Sequence, residues 1–273
     1  MRKVDIRELQ LTLVDALSEL HSFCEKFQIQ YWLDSGTLLG AIREKKFIPW
    51  DDDIDICMLR DDYVRFAKYA PCYLNKEKLF VQTSDTDENY TDYNIPCKIR
   101  VNNTIIVENN KEYTSNISSR HLGFFIDIFP CDHYPNKKWK RNLVQSIKHL
   151  YYGKSLFYRK NLSVKATVLS KIIHYTLPLF LLNKLKDLII HSLNKDTKRN
   201  NIISKGIELP FHKGISTSQD IFPLQKIEFE NMFFYAPNNT HSYLSSLYGS
   251  DYMTPPSKDK RICHSSEFYI IND

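Results

Sequence analysis

The densest group of chemically active side chains lies at Asp51–Asp55, where four of five residues are aspartates. Carboxylates this close repel one another, so a folded site needs protons or a counterion to hold them. Residues two apart share a face of a strand, so Asp53 and Asp55 point the same way, and Asp51 joins them if the strand begins early. Such oxygen ligands suit Mg²⁺ or Mn²⁺. The segment predicts a divalent metal site, and a solvated acidic loop is the simpler alternative.

A further acid, Asp127, lies inside the apolar run Gly123–Phe129. A buried carboxylate is costly unless it is paired or binds a metal. Asp127 is therefore predicted to be a third metal ligand or the base that takes a proton from a substrate. Its structural alternatives are to cap a turn or to pair with an arginine. An EF-hand is excluded, because its sixth position would be Ile56 and its twelfth Asp62, where glycine and glutamate are required.

The predicted secondary structure places these acids in an α+β body. Apolar residues recur every three or four positions over residues 4–27, which predicts an amphipathic helix. Alternating apolar residues predict a strand at Ile54–Met58, followed by a helix at residues 61–74. The other predicted elements are strands at Ile29–Leu33, Leu79–Thr83, Ile95–Val101, Thr104–Glu108, Gly123–Phe129, Ile227–Phe229 and Met232–Tyr235, a turn at Asp34–Thr37, and helices at Leu38–Glu44 and near residues 239–248.

The charge of the chain is divided between two regions. Residues 137–200 hold 15 Lys and Arg and two acids, whereas the remainder holds 22 Lys and Arg and 30 acids. We predict a catalytic domain of residues 1–136 and 201–273 with a basic α-helical insertion at 137–200. This insertion either lies on anionic lipid as an amphipathic surface or packs as a lobe with solvated lysines. We expect no nucleic-acid partner, because no recognised module is present and the body is acidic.

The cysteines and the N-terminus indicate where the protein acts. The six cysteines are scattered and form no CxxC pair, so a structural zinc site is not expected. The first residues lack the apolar stretch of a secretion signal. These features predict a reducing, cytoplasmic setting, with peripheral attachment to the inner membrane face if the basic insertion binds lipid.

Two blocks of sequence, Leu33–Gly40 and Ile48–Asp55, closely resemble the LicD family. This family includes bacterial phosphorylcholine transferases and is related to fukutin-type phosphoribitol transferases. The resemblance runs from about residue 25 to residue 264. Further matches in the same order are Lys98-Ile99, Asn103-Thr104, Phe125–Pro130, Tyr248-Gly249 and Pro255-Pro256.

The resemblance implies a nucleotidyltransferase-like fold, in which helices flank a mixed sheet. It implies that Asp53 and Asp55 hold Mg²⁺ against the diphosphate of a CDP-activated donor such as CDP-choline, and that Asp127 completes the site. The group transferred would be a phospho-alcohol, such as phosphocholine. The acceptor would be a hydroxyl of a cell-surface or lipid-linked glycan of the lipopolysaccharide, capsule or teichoic acid type.

The resemblance also implies the residues that bind substrate. Gly36 would let the backbone approach the diphosphate, and Thr37 with the start of the next helix would donate hydrogen bonds to it. Lys98 would contact phosphate, and its alternative is an ordinary surface lysine. The expected substrate contacts are Ser35, Gly36, Thr37, Arg43, Lys98 and Arg261. The aromatic residues available for a choline group are Tyr31, Trp50, Tyr248 and Tyr252, and packing in the core is the alternative role for each of them, so no donor head group is assigned.

Three other functions fit part of the pattern. A small-molecule nucleotidyltransferase would share the fold but would release pyrophosphate. A non-enzymatic module that binds a membrane surface would tolerate loss of the acids, and here every acid of the motif is present. A DxD glycosyltransferase is disfavoured by the glycine turn just upstream of the acids.

Overall fold

The computed structural model describes residues 1–109, 120–194, 201–209 and 214–271. The helices are α1 (Ile6–Phe27), α2 (Ser35–Glu44), α3 (Arg60–Tyr73), α4 (Lys138–Leu156), α5 (Val164–Thr176), α6 (Leu179–Asn194), α7 (Ser218–Ile221) and α8 (Thr240–Tyr248). The strands are β1 (Arg2–Val4), β2 (Trp32–Leu33), β3 (Ile54–Leu59), β4 (Leu79–Gln82), β5 (Lys98–Val101), β6 (Thr104–Glu108), β7 (Phe125–His133), β8 (Ile202–Lys205), β9 (Ser216–Thr217), β10 (Gln225–Phe229), β11 (Met232–Ala236) and β12 (Ser265–Ile270).

A curled mixed sheet forms the centre of the molecule, in the order β2-β3-β7-β5-β4. The strands β3 and β7 run parallel, and the other neighbours are antiparallel. Because β3 occupies one edge of β7, both β5 and β8 must pair with its other edge. The β5 pairing covers Phe125–Asp127 and the β8 pairing covers Cys131–His133. Ile128 still donates to the carbonyl of Cys97, and the carbonyl of Pro130 accepts from Gly206, so the sheet splits beside Phe129.

Helix α1 covers the core and also holds the acidic segment. Its buried stripe includes Leu9, Leu13 and Leu17, all without exposed surface, as the helical spacing predicts. Asp5 begins the helix by accepting a hydrogen bond from the backbone N–H of Glu8 at 2.8 Å. The buried amide of Gln10 donates to the backbone carbonyl of Asp51 at 2.9 Å. The first long helix therefore fixes the loop that carries the aspartates.

The α+β prediction is confirmed, and several boundaries differ from the predicted ones. The predicted turn at Asp34–Thr37 is wrong, because α2 already begins at Ser35. Strand β2 contains only Trp32–Leu33 of the predicted five residues. Strand β7 continues four residues beyond Phe129, through Pro130, whose carbonyl accepts a hydrogen bond from the backbone N–H of Gly206 at 2.7 Å. The strands absent from the prediction are β1, β8, β9 and β12.

The basic region folds as three helices, α4, α5 and α6, and Pro178 separates the last two as predicted. Helices α4 and α6 share a small apolar cluster with Ile207, apart from the main core. Its buried members are Val144, Ile147, Tyr151, Leu182, Ile190, Leu193 and Ile207. Across the described ranges, no helix has the length and hydropathy that crossing a bilayer requires. The division into a catalytic domain and an insertion stays a prediction.

Candidate active site

Three aspartates converge where β3 and β7 lie side by side. Asp55 on β3 stands directly opposite Asp127 on β7 in the parallel register, and Asp53 precedes Asp55 by two residues. One carboxylate oxygen from each lies within 4.8 Å of the others. We call Asp53, Asp55 and Asp127 the acid cluster. The structure brings together the three residues that the sequence predicts to be catalytic.

The acid cluster is electrostatically unfavourable by itself. Burial and the neighbouring carboxylate of Asp127 raise the pKa of Asp53 to about 7. Burial and the carboxylate of Asp53 raise the pKa of Asp55 well above its ordinary value. A divalent cation would offset this repulsion, and three hard oxygen ligands fit Mg²⁺ or Mn²⁺.

Asp51 lies beside the acid cluster against the start of α2. A Cβ atom at Gly36 would lie 2.5 Å from Asp51 Oδ2, so a larger residue there would displace this carboxylate. Asp51 Oδ2 is buried and has no hydrogen-bond partner among the described residues. Burial, together with Asp53 and Asp52, raises the pKa of Asp51 well above its usual range. Gly36 therefore makes room for a carboxylate whose charge the described protein groups leave unbalanced.

His264 contacts the acidic segment at Asp52. Its backbone N–H donates to Asp52 Oδ1 at 3.2 Å, and its ring Nδ1 lies 3.5 Å from the same oxygen. The hydrogen bond to Asp52 raises the pKa of His264 to about 9. Ligand atoms of Asp51, Asp52, Asp53 and His264 lie within 4.8 Å of one another. His264 lies more than 200 residues from the acids it contacts, so no sequence pattern indicated its place in the site.

Lys98 is not an ordinary surface lysine. It is fully buried on β5, opposite Asp127 in the antiparallel register. Its ammonium group forms an ion pair with Asp127 and lies 3.7 Å from the centre of the Phe125 ring. Lys98 therefore partly balances the acid cluster from the strand next to β7.

A second lysine, Lys205 on β8, reaches the site from the other side of the split in the sheet. Its Nζ lies 2.6 Å from Asp34 Oδ2 and donates to Ser35 Oγ at 3.0 Å. Tyr243 donates to the other oxygen of Asp34 at 2.7 Å. Burial opposes the charge of Lys205, but the carboxylates of Asp34 and Asp55 raise its pKa above the ordinary value. No sequence pattern indicated Lys205, because β8 was not predicted and the lysine adjoins a region rich in lysines.

A cavity of about 350 Å³ opens at the split between β5 and β8. The residues that line it are Ser35, Asp53, Asp55, Ile95, Asp127, Phe129, Lys205, Leu247, Tyr248 and His264. It therefore brings the acid cluster, Lys205 and His264 to one surface. A pocket of this size with convergent polar groups is a default candidate for a binding site.

Other predicted substrate contacts lie away from this cavity. Thr37 is buried, and its hydroxyl accepts a hydrogen bond from the backbone N–H of Asp55 at 2.9 Å, so it fixes the strand. The Nη2 atom of Arg43 lies 3.5 Å from Oε1 of the neighbouring Glu44. Arg261 stacks over Trp50, with its guanidinium carbon 4.5 Å from the ring centre. Of the four aromatic candidates for a choline group, Tyr248 is among the cavity-lining residues described.

Carboxylates gathered at a cavity with lysines beside them are typical of enzymes that transfer groups with the help of a metal. A sequence model of the family described as "LicD/FKTN/FKRP, nucleotidyltransferase domain" matches residues 28–158, which include the acid cluster and Lys98. The chain belongs to the LicD family, and it is a phosphotransferase.

The relatives agree with this assignment. The chain is 31% identical over 282 residues to "Lipopolysaccharide cholinephosphotransferase LicD" of Haemophilus influenzae, an alignment that covers 99% of this chain and 100% of that protein. A stretch of 34 residues is 47% identical to "Ribitol 5-phosphate transferase FKRP" of Homo sapiens and covers 7% of that protein. An uncharacterised protein of Rickettsia prowazekii is 36% identical over 134 residues, which cover 48% of this chain and 47% of that protein.

Proposed function

We propose that this protein transfers a phospho-alcohol group, such as phosphocholine, from a CDP-activated donor to a hydroxyl of a cell-surface glycan. The cofactor would be Mg²⁺ or Mn²⁺ bound by Asp53, Asp55 and Asp127, with Asp51 beside them. The relatives in the family act on lipopolysaccharide or transfer ribitol phosphate, as their names state. A donor with a diphosphate and an acceptor with a hydroxyl fit both kinds of transfer.

The observation that carries the proposal is the convergence of three carboxylates, Asp127 buried and Asp53 and Asp55 half-buried, with too little positive charge around them. The orphaned Oδ2 of Asp51 adds a buried oxygen that the described side chains leave without a donor. A divalent cation would neutralise the charge that develops on the leaving phosphate. These features favour a metal-assisted transfer over a binding module, because a binding module has no need of mutually repelling acids.

The protein's own side chains have separable roles in this scheme. Lys205 lines the cavity and is held by Asp34, so its ammonium group is oriented to contact a phosphate oxygen of the donor. Lys98 orients the carboxylate of Asp127 through their ion pair. Thr37 fixes the backbone of Asp55 and thereby the position of its carboxylate. Asp127 either binds the metal or takes the proton from the acceptor hydroxyl.

The direct experiment is to incubate purified protein with Mg²⁺, a glycan acceptor and a panel of CDP-alcohols that includes CDP-choline and CDP-ribitol. We expect release of CMP that depends on the acceptor and stops when EDTA removes the metal. Donor preference follows from which CDP-alcohol gives the highest rate. Absence of CMP release from every CDP-alcohol would contradict the proposal.

The alternative with the same fold is a nucleotidyltransferase, and the description of the matching family contains that word. A parallel incubation with CTP and a phospho-alcohol tests it, because that reaction would release pyrophosphate. Formation of pyrophosphate with no CMP from CDP-alcohols would replace phospho-alcohol transfer by nucleotidyl transfer.

A further inference from the structure

Helix α5 exposes a row of apolar side chains. Val164, Val168, Ile172 and Tyr175 follow one another at helical spacing, and each has more than half of its surface exposed, as does Leu169 beside them. We call these five residues the α5 surface. Exposed apolar residues scattered singly need no explanation, but an aligned row of them marks an interaction site.

The α5 surface is not the side by which the helix packs on the protein. The opposite side contacts α4, where Ile173 lies so close to Gly153 that a Cβ atom on the glycine would be 2.5 Å from Ile173 Cδ1. His174 stacks on Phe157 there, with ring centres 3.7 Å apart. Since α5 is anchored on one side, its exposed row is available for a different contact.

An apolar groove of about 540 Å³ adjoins this surface between α4 and α5. Leu169 belongs to both the α5 surface and the groove, and Leu150, Leu156 and Ile173 contribute further apolar lining. The apolar area therefore continues from the outer side of α5 into the crease between the two helices.

The charge around the α5 surface is positive. Residues 133–186 contain no Asp or Glu. Lys165 and Lys171 on α5 are exposed, and so is Lys160 just before the helix. Helices that lie in a membrane interface combine an apolar face with lysines, which attract anionic headgroups.

We infer that the α5 surface docks the protein onto an anionic lipid bilayer. Self-association through this surface is disfavoured, because two copies would bring lysines of the same sign together. A nucleic acid would use the lysines but would leave the aliphatic row exposed. This inference does not rest on the proposed function, since bilayer binding is measured without donor or acceptor.

The test is co-sedimentation of the full chain with phosphatidylcholine vesicles that contain or lack phosphatidylglycerol. We expect binding to the anionic vesicles that weakens as salt rises, and weak or no binding to the neutral ones. The apolar variant is Val168→Glu combined with Ile172→Glu, and its matched control is Val64→Glu, at an exposed valine of α3. We expect the double variant to reduce binding at least about tenfold, and the control to bind as the wild type does.

The charge variant is Lys165→Glu combined with Lys171→Glu, and its control is Lys68→Glu on α3. One lysine near an anionic surface contributes about a fivefold change in affinity, so we expect loss of the two to weaken binding about 25-fold or more. Circular dichroism and thermal unfolding establish that all the variants fold, since every substituted residue is exposed.

Two outcomes would overturn the inference. One is a failure of the wild type to bind anionic vesicles at low salt, or a failure of the α5 substitutions to weaken that binding. The other is a wild-type oligomer that the Val168→Glu and Ile172→Glu changes convert to monomer while vesicle binding is unchanged. Sedimentation velocity would reveal that case, and the α5 surface would then be a contact between copies.

Discussion

Two groups of charged side chains each include a residue of β7, and they differ in how completely their charges are neutralised. In the first, which we call the Arg60 network, Arg60 donates to both oxygens of Asp132 and to both oxygens of Glu208, at 2.6–2.8 Å. Burial alone would raise the pKa of Glu208, but Arg60 lowers it to about 2. In the second, the acid cluster, burial and like charges raise the pKa of Asp53 and of Asp55.

Under the proposed function, this difference is one between a structural group of charges and a catalytic one. In the Arg60 network, the planar guanidinium group of Arg60 donates hydrogen bonds to both acids, so the network is stable without any ligand. The positive groups that act on the acid cluster include Lys98, Lys205 and His264, yet the pKa values of Asp53 and Asp55 stay raised, so a bound cation would lower the energy of the cluster. Strongly raised acid pKa values beside a cavity make the acid cluster the candidate site for the proposed chemistry.

The largest effect is expected from a substitution that disrupts the Arg60 network. We expect Arg60→Ala to lower the free energy of unfolding by about 3–5 kcal/mol, because it removes the guanidinium group that neutralises two buried acids. Denaturant unfolding measures this. Arg65→Ala on the same helix is the control, since Arg65 is half-exposed, and it should cost less than about 1 kcal/mol. Equal effects at both positions would contradict the comparison.

The acid cluster should respond in the opposite way, with a large loss of activity and no loss of stability. We expect Asp55→Asn to lower the transfer rate on the order of 10³-fold, about 4 kcal/mol, because a metal ligand is removed. Asp61→Asn, at an exposed acid of α3, should leave the rate unchanged. An Asp55→Asn protein that folds and transfers at a near-normal rate would show that the cluster does not carry the chemistry.

The sequence alone predicts the acid cluster because its parts are local or conspicuous. Asp53 and Asp55 lie two apart on a strand, and Asp127 is a single acid in an apolar run. The period of two along a strand then determines which side chains share a face. Lys98 also follows from the resemblance, although its burial and its ion pair with Asp127 require the register of β5 on β7.

The rest of the site depends on contacts between distant parts of the chain. Lys205 meets Asp34 across 171 positions, and His264 meets Asp52 across 212. Strand β8 has four residues and adjoins the basic helices, so neither its alternation nor its charge distinguishes it. The Arg60 network is equally hidden, since its two acids come from β7 and from the segment after β8.

Lys205 shares a property with each group of charges. Its charge is neutralised by Asp34, as in the Arg60 network, and it also faces the cavity beside the acid cluster. We expect Lys205→Met to lower transfer about 100-fold through loss of a phosphate contact, and to lower stability because Asp34 is left buried and unpaired. The double variant Lys205→Met with Asp34→Asn should recover stability but not activity. If the double variant recovers both, Lys205 serves only to balance Asp34.

The smallest effect concerns the stability of the metal-free protein. Asp53 has a pKa of about 7 in the folded chain, whereas an unperturbed aspartate titrates near pH 4. Between these values the folded state binds the extra proton, so stability should fall as pH rises through this window. Asp53→Asn removes the charge, and in EDTA at pH 8 it should raise the free energy of unfolding by about 1 kcal/mol or more.

Thermal unfolding from pH 4 to pH 8 measures this effect, with Asp61→Asn as the control. Added Mg²⁺ should stabilise the wild type at pH 8 and stabilise Asp53→Asn much less, because the variant lacks a ligand. If Asp53→Asn unfolds more readily than the wild type in EDTA at pH 8, the charges of the acid cluster are already matched. The contrast with the Arg60 network would then be wrong, and the argument for a bound cation would lose its basis.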